Sequence, residues 1–425
     1  MDAFAYRDGE LFCEETRIAD LVREVKTPAY VYSRRTLLDH FDKLARAFAP
    51  LEPLICYSVK ANSNIHILKL FQDRGAGFDV VSGGELFRTM KIGADPAKVV
   101  FAGVGKTDEE IRYALRKQIF LFNVESRAEL ERIQQIAREM GARARVCLRV
   151  NPDVDPHTHD YIATGKKETK FGVDFEAARE VLAGLDGLTH VDLLGLHVHI
   201  GSQITETEPY RLALERLLDF ADAERLKGRP IQILNIGGGF GVYYRDRSAK
   251  SADEIAAALV PPLKERGRYK LILEPGRFIV ANAGILLTKV LYVKDSARAG
   301  KRFVICDAGM NDLIRPALYG SWHRVWPVAA AAAEGDPGAP ETAGLADIVG
   351  PICESGDFFA KDRPFPAVRA GDLIAVFTAG AYGFSMASNY NSHPRPPEVL
   401  VEGASFRPIR RRETYDDLIA AEVLD

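Results

Sequence analysis

Lys60 follows an apolar run, Pro53-Leu54-Ile55-Cys56-Tyr57-Ser58-Val59, and precedes Asn62 and Asn64, residue types that turn a chain and cap a helix. That order places one amine at the carboxyl end of a strand. Desolvation there lowers an amine's pKa and lets it form a Schiff base with an aldehyde cofactor; the plain alternative is a surface lysine. Equivalent positions further along hold Asp79 within Phe78-Asp79-Val80-Val81-Ser82-Gly83-Gly84-Glu85, then Arg149, then His197-Val198-His199-Ile200-Gly201-Ser202-Gln203. Gly237-Gly238-Gly239-Phe240-Gly241 and Glu274-Pro275-Gly276-Arg277 complete the series.

The chemistry open to these residues is specific. Three consecutive glycines let backbone approach a ligand, and free N–H groups there make an anion nest, although a tight turn uses the same residues. Arg277 and Ser202 beside them point to a phosphate site. Glu274 suits a protonated pyridine nitrogen, or else caps the next element. His197 and His199 lie two apart and share a strand face, as a metal pair, as one ring stacked on a cofactor with a neighbour, or as core histidines. No other histidine ends a later strand, so a metal would need aspartate, and no metal is expected. Two later loops are polar: Asp307 to Gly320, with Arg315 and Tyr319, and Gly350 to Asp357, with Cys353 and Glu354. A thiol beside a carboxylate is either structural or an acid or nucleophile.

Regular elements must position these groups. Apolar runs predict strands at Leu54 to Val59, Phe78 to Val81, Val99 to Ala102, Ile119 to Val124, Ala144 to Val150, Val191 to Ile200, Ile231 to Ile236 and Leu271 to Glu274. Helical stretches separate them: Ile65 to Phe71, Gly84 to Lys91, Glu109 to Lys117, Arg127 to Met140, Tyr210 to Leu226 and Ala252 to Arg266, with Arg34 to Phe48 ahead of the first. The alternation predicts an α/β fold, a (β/α)8 TIM-like barrel over residues 34–276, whose strand ends carry the reactive residues. Beyond Gly276, runs at Gly284 to Val293, Arg302 to Cys306 and Asp372 to Thr378 predict a mainly antiparallel β domain built from 277–425 and the amino-terminal 1–33. The alanine-rich stretch Val328 to Ala343 reads as an exposed loop.

Composition narrows the partners. The chain is 47% hydrophobic and 27% charged with a net charge of -3, which favours neither nucleic acid nor an anionic membrane. Small molecules and copies of itself remain. Five scattered cysteines predict no disulfide framework and a reducing compartment, and the first residues lack an apolar signal core, so the expected location is cytoplasmic.

Together, Tyr57-Ser58-Val59-Lys60-Ala61-Asn62, His199-Ile200-Gly201-Ser202-Gln203, Glu274-Pro275-Gly276-Arg277, Met310 to Tyr319, Cys353-Glu354-Ser355-Gly356-Asp357 and Gly380-Ala381-Tyr382-Gly383 resemble the fold-type III, pyridoxal-phosphate-dependent amino-acid decarboxylases. The resemblance covers Thr27 onward and points to the branch acting on meso-diaminopimelate. It implies pyridoxal 5'-phosphate as cofactor, Lys60 as its Schiff-base lysine, His199 stacked on its ring and Glu274 at its nitrogen. It also implies that Asp79, Arg149, Ser202, Gly237, Gly238, Gly239, Gly276, Arg277 and Tyr382 surround the cofactor. Arg277, Arg315, Tyr319, Glu354 and Tyr382 would hold substrate, and Cys353 would donate a proton. A homodimer with shared sites is implied as well, the Cys353 loop of one chain meeting the barrel mouth of the other. Ala163 in Tyr161-Ile162-Ala163-Thr164-Gly165, where the family often has Ser, and the 328–343 stretch, read as an insertion, depart from the pattern.

Rival readings differ at named positions. An ornithine or arginine decarboxylase has no distal carboxylate to clamp and would prefer an acid in place of Arg315. A racemase needs a second base facing Lys60. A metal-dependent barrel hydrolase would use His197 and His199, and a non-catalytic regulator would have lost Lys60.

Overall fold

Each apolar run between 54 and 274 forms a strand: β1 Leu54–Ser58, β2 Gly77–Val80, β3 Val99–Phe101, β4 Leu121–Val124, β5 Ala144–Arg149, β6 Val191–His197, β7 Ile233–Asn235 and β8 Lys270–Leu273. All neighbours pair in parallel, and β8 pairs with β1 to close the barrel. Such strands are covered on both faces, which is why they read as unbroken apolar runs. Cys56, Val100, Leu121, Cys147, Ile233 and Ile272 pack together inside.

Helices α1 Ile65–Gln72, α2 Gly83–Lys91, α3 Asp108–Lys117, α4 Arg127–Glu139, α5 Phe175–Ala183, α6 Glu208–Leu226 and α7 Ala252–Arg266 connect the strands. Their starts follow capping chemistry. Asn64 accepts from His66 N, Thr107 and Glu110 form a capping box, and so do Ser251 and Glu254. Helix α5, capped by Asp174, lies in a stretch where the sequence reading assigned no element.

All of the barrel strands except β4, which ends at Val124 as expected, stop short of the predicted ends. Ser58 N bonds Pro275 O, and Glu274 N bonds Gly237 O, so the chain leaves the ladder at the barrel mouth to tie its loops together. Lys60, His199 and Glu274 therefore sit on backbone just past β1, β6 and β8. Lys60 itself lies in a single 3-10 turn, Val59–Ala61.

The computed structural model describes residues 3–154, 170–229, 231–245, 249–267, 269–296, 301–332, 334 and 341–424. The Tyr161 to Gly165 departure lies outside them. The chain divides into two units, Phe41–Val242 with Ser248–Phe278, and Met1–His40 with Tyr243–Arg247 and Ile279–Asp425. The second unit is built on one long strand, Gly284–Ser296, which pairs antiparallel with Ala29–Ser33, Lys301–Cys306 and Leu373–Val376. Leu345–Val349 and Glu398–Glu402 join in parallel, so the sheet is mixed although mainly antiparallel. Phe4–Arg7, Glu10–Cys13 and Thr16–Arg17 form a small sheet of their own.

The alanine-rich stretch corrects one expectation. Val328 and Ala330 are buried, Val328 N bonds Leu373 O and Leu11 N bonds Val328 O, so its first residues belong to packed structure rather than to an exposed loop. Residues 333 and 335–340 of it lie outside the described residues.

Candidate active site

At the barrel mouth Lys60 Nζ donates to Asp79 Oδ2 over 3.2 Å. Asp79, next to last in β2, is fully buried, and Ser58 Oγ reaches the same oxygen at 2.8 Å. Burial, helped by the charge of Glu274, raises the Asp79 carboxyl; Lys60 and Ser58 pull it back. Its Oδ1 has no hydrogen-bond partner among the described residues.

Glu274 is held more tightly. Asn123 Nδ2, from β4, and Asn235 Nδ2, from β7, donate to Oε1 at 2.9 and 2.6 Å. His197 Nε2 lies 3.3 Å from Oε2 without hydrogen-bond alignment. Burial works against ionisation here, but His197, Lys60 and the Asn235 amide outweigh it and hold the carboxyl well below the usual range. A buried site thus keeps a carboxylate charged.

The two histidines do not act as a matched pair. His197 ends β6 against Glu274, whereas His199 turns to the glycine loop and accepts from Gly238 N at 3.3 Å through Nδ1. Burial, with Arg149 and Lys60, drives the His199 pKa down, so its ring is neutral. Among the described residues no group of three or more His, Cys, Asp or Glu is disposed to hold a metal ion.

The glycines are sterically required. A Cβ on Gly238 would meet Glu274 O at 2.0 Å, one on Gly239 would meet Gly201 O at 2.1 Å, and one on Gly237 would meet Val198 O at 2.6 Å. Gly237 N donates to Asn235 Oδ1, so two of the three amides already bond side chains of β7 and of the loop after β6, and the triplet is not a row of free N–H groups. Close by, Arg277 Nη2 donates to Ser202 Oγ at 3.0 Å. A Cβ on Gly276 would press on Ser58 and Ala61, beside the Lys60 turn.

Arg149 is held by the barrel itself, while its buried Nε has no hydrogen-bond partner among the described residues. Its Nη1 donates to both oxygens of Glu125, its Nη2 to His199 O, and its guanidinium lies 4.9 Å from the centre of the Phe171 ring. The buried Glu125 also takes the amides of Gly103 and Gly172, and its carboxyl is lowered because Arg149, His197 and Lys106 overcome burial. Lys106 Nζ, almost wholly buried, donates to Gly103 O, Asn123 O and Glu129 Oε1. Asn123, Glu125, Lys106 and Asn235 escaped the sequence reading. Their only signal was a polar residue at, or in the loop beyond, an apolar strand end. Glu85, whose carboxyl burial pushes up to about 7, accepts from Val81 N.

The second unit carries the remaining candidates. Arg315 opens the short helix Arg315–Tyr319, is buried, and lies over the rings of Tyr244 and Tyr319 at 5.4 and 5.7 Å. Its Nη2 donates to Ser321 Oγ. Tyr382 adopts a left-handed φ of 54°, and the flanking Gly380 and Gly383 have no room for a Cβ. Cys353 is exposed, its N donating to Asn391 Oδ1, and the exposed Glu354 accepts from the Tyr390 hydroxyl.

A pyridine aldehyde phosphate fits the barrel residues. An amine, a caged carboxylate, a neutral imidazole, an orphaned Asp79 oxygen and a cradle that admits only glycine are gathered at one mouth. Residues 34–281 match the family model described as pyridoxal-dependent decarboxylase, pyridoxal binding domain. The chain is 50% identical to the diaminopimelate decarboxylase of Pseudomonas aeruginosa over 424 residues, covering 100% of this chain and 99% of that one. It is 47% identical to that of Aquifex aeolicus over 414 residues, 97% and 96% of the two chains. The crystal structure of diaminopimelate decarboxylase from Helicobacter pylori complexed with L-lysine superposes with a TM-score of 0.89 at 40% identity, covering 95% of this chain and 99% of that one. The chain therefore belongs to the pyridoxal-dependent decarboxylases, in the diaminopimelate decarboxylase branch.

Proposed function

We propose that the chain decarboxylates meso-2,6-diaminopimelate to L-lysine and carbon dioxide with pyridoxal 5'-phosphate bound at the barrel mouth. When bound, the cofactor accepts the electron pair left on Cα as carbon dioxide departs. The observation that carries this reading is the Glu274 cage: two buried amides fix one oxygen and keep the carboxylate charged, which is what a protonated ring nitrogen requires.

The other roles follow from what each residue does in its own unit. Lys60 presents an amine to the aldehyde, with Asp79 fixing the ammonium until then. His199, neutral and anchored by Gly238 N, offers a flat face to the ring. Ser202, Arg277 and the Gly237 to Gly239 loop suit the phosphate. Arg149 positions Glu125 and the His199 backbone. Arg315, with Tyr319, is the clamp for the distal carboxylate, and Glu354 takes the distal ammonium. Cys353 Sγ gives a proton to Cα, completing lysine. Arg277 and Tyr382 complete the substrate's surroundings.

We assign the cofactor-binding barrel to residues 34–276 and the β-rich domain to 1–33 and 277–425. The exposure of Cys353 and Glu354 supports a homodimer in which this loop serves the partner's barrel. Five unpaired thiols support a reducing, cytoplasmic location, and no helix among the described residues is long and apolar enough to cross a membrane.

The test is purified protein with pyridoxal phosphate, its visible band recorded, then carbon dioxide and amine product followed with meso-diaminopimelate, ornithine and arginine separately. Lysine formed from diaminopimelate alone is the expected result. Turnover of ornithine or arginine instead would overturn the role of Arg315, and absence of the band would overturn the cofactor site.

A further inference from the structure

The second unit holds a buried carboxylate with no part in the chemistry above. Asp357 Oδ1 accepts from Met310 N and its Oδ2 from Ile352 N, each at 2.7 Å. Both donors are backbone amides, and they belong to different loops. One leads to Arg315 and the other to Cys353.

The two loops are built around this carboxylate. A Cβ on Gly350 would meet Gly309 Cα at 2.4 Å and Asp357 Oδ2 at 2.5 Å, and one on Gly309 would meet both Asp357 oxygens at 3.0 Å. Glycine at 309 and 350 is what lets the backbones close on the side chain. From Met310 the path to Arg315 is stiff: Gly309 N bonds Asp312 Oδ2, Asp312 N and Leu313 N both bond Gly309 O, and Leu313 is fully buried. From Ile352 the path to Cys353 is one peptide, and Glu354 N bonds Ile352 O.

A second tie is one-sided. Asn391 Oδ1 accepts from Cys353 N, holding the Cys353 loop alone, while Ser388 N bonds Asn311 O. Asp357 is the side chain whose two oxygens hold both loops.

We propose that Asp357 is a positioning residue that sets the substrate clamp and the proton donor in one geometry, so that the Arg315 loop and the Cys353 loop move together or not at all. This rests on the roles given above to Arg315 and Cys353. A substitution at Asp357 then acts on substrate binding and on turnover at once. One at Asn391 acts on the Cys353 loop only.

The experiment compares wild-type holoenzyme with D357N and N391A by amide hydrogen exchange over 309–313 and 350–354, and by kcat and KM for meso-diaminopimelate. Asparagine keeps the size of the side chain and one acceptor oxygen but turns a donor toward the other amide. For D357N the expected result is exchange faster by about tenfold or more in both segments, with kcat lowered and KM raised while the cofactor's visible band is unchanged. N391A is expected to loosen 350–354 alone and to lower kcat, with KM raised less than in D357N because the Arg315 clamp stays in place. Loosening of one segment only in D357N, or of both with wild-type kcat and KM, would overturn the proposal. If D357N is insoluble, D357S, which keeps a single oxygen, is judged by the same criteria. Lack of turnover by the wild-type enzyme would count against the assigned reaction instead, and the exchange data would still decide whether Asp357 ties the loops.

Discussion

Asn235 Nδ2 donates to Glu274 Oε1 over 2.6 Å, and both side chains are buried at the mouth of the barrel. An amide cannot lose its donor to a change of pH, so this contact keeps the carboxylate oriented and ionised across the working range. A hydrogen bond to a buried charge contributes roughly 1.5–3 kcal/mol. Asn235→Leu is therefore expected to lower kcat by about ten- to a hundredfold while the protein stays folded, measured as carbon dioxide release from meso-diaminopimelate at saturating cofactor. Unchanged kcat would remove the cage from the mechanism.

Lys60 and Cys353 differ in what they remove. Lys60→Ala is expected to abolish turnover and the visible band of lysine-bound cofactor. Cys353→Ala is expected to keep the band and to slow turnover by about a hundredfold or more, the usual effect of losing a positioned proton donor. A Cys353 variant that loses the cofactor would make that residue structural.

Arg315→Lys tests the clamp. A lysine keeps the charge but loses the planar fork that matches a carboxylate. KM for diaminopimelate is expected to rise by roughly tenfold or more with a smaller effect on kcat, and a variant with wild-type KM would place the distal carboxylate elsewhere.

Asp312 makes a signed prediction about pH. Burial pushes its carboxyl up to about 7, with Asp307 and Asp357 adding to the effect and the Gly309 amide and Arg412 opposing it. The folded state then holds a proton that the unfolded chain releases near pH 4. Stability is lost as pH rises from about 4 through about 7 and is level above that. Asp312→Asn removes this cost, and a flip of Asn311, whose Oδ1 has no hydrogen-bond partner among the described residues, supplies an acceptor for the new amide. The variant is expected to melt about 2 °C or more above the wild type at pH 8 and to lose the advantage by pH 5, as read by thermal unfolding at both pH values.

The amino-acid sequence by itself determined where the barrel strands lie and which strings carry reactive side chains. Buried parallel strands need unbroken apolar runs, and a residue at the end of such a run is placed by chain geometry alone. Lys60, Asp79, His199, Ser202, Glu274 and Arg277 were legible for that reason. The structure decided which of these groups face one another. Asn123 meets Glu274 across 151 positions of sequence and Asn235 meets it across 39, pairings that exist only once the barrel has closed. Closure likewise turned Arg149 onto Glu125, tied up two of the three glycine amides and separated His197 from His199 in partner and purpose. Local sequence sets backbone conformation through periodicity and capping. The partner of a buried polar group is set by which strand ends converge, because only there can a desolvated donor find its acceptor.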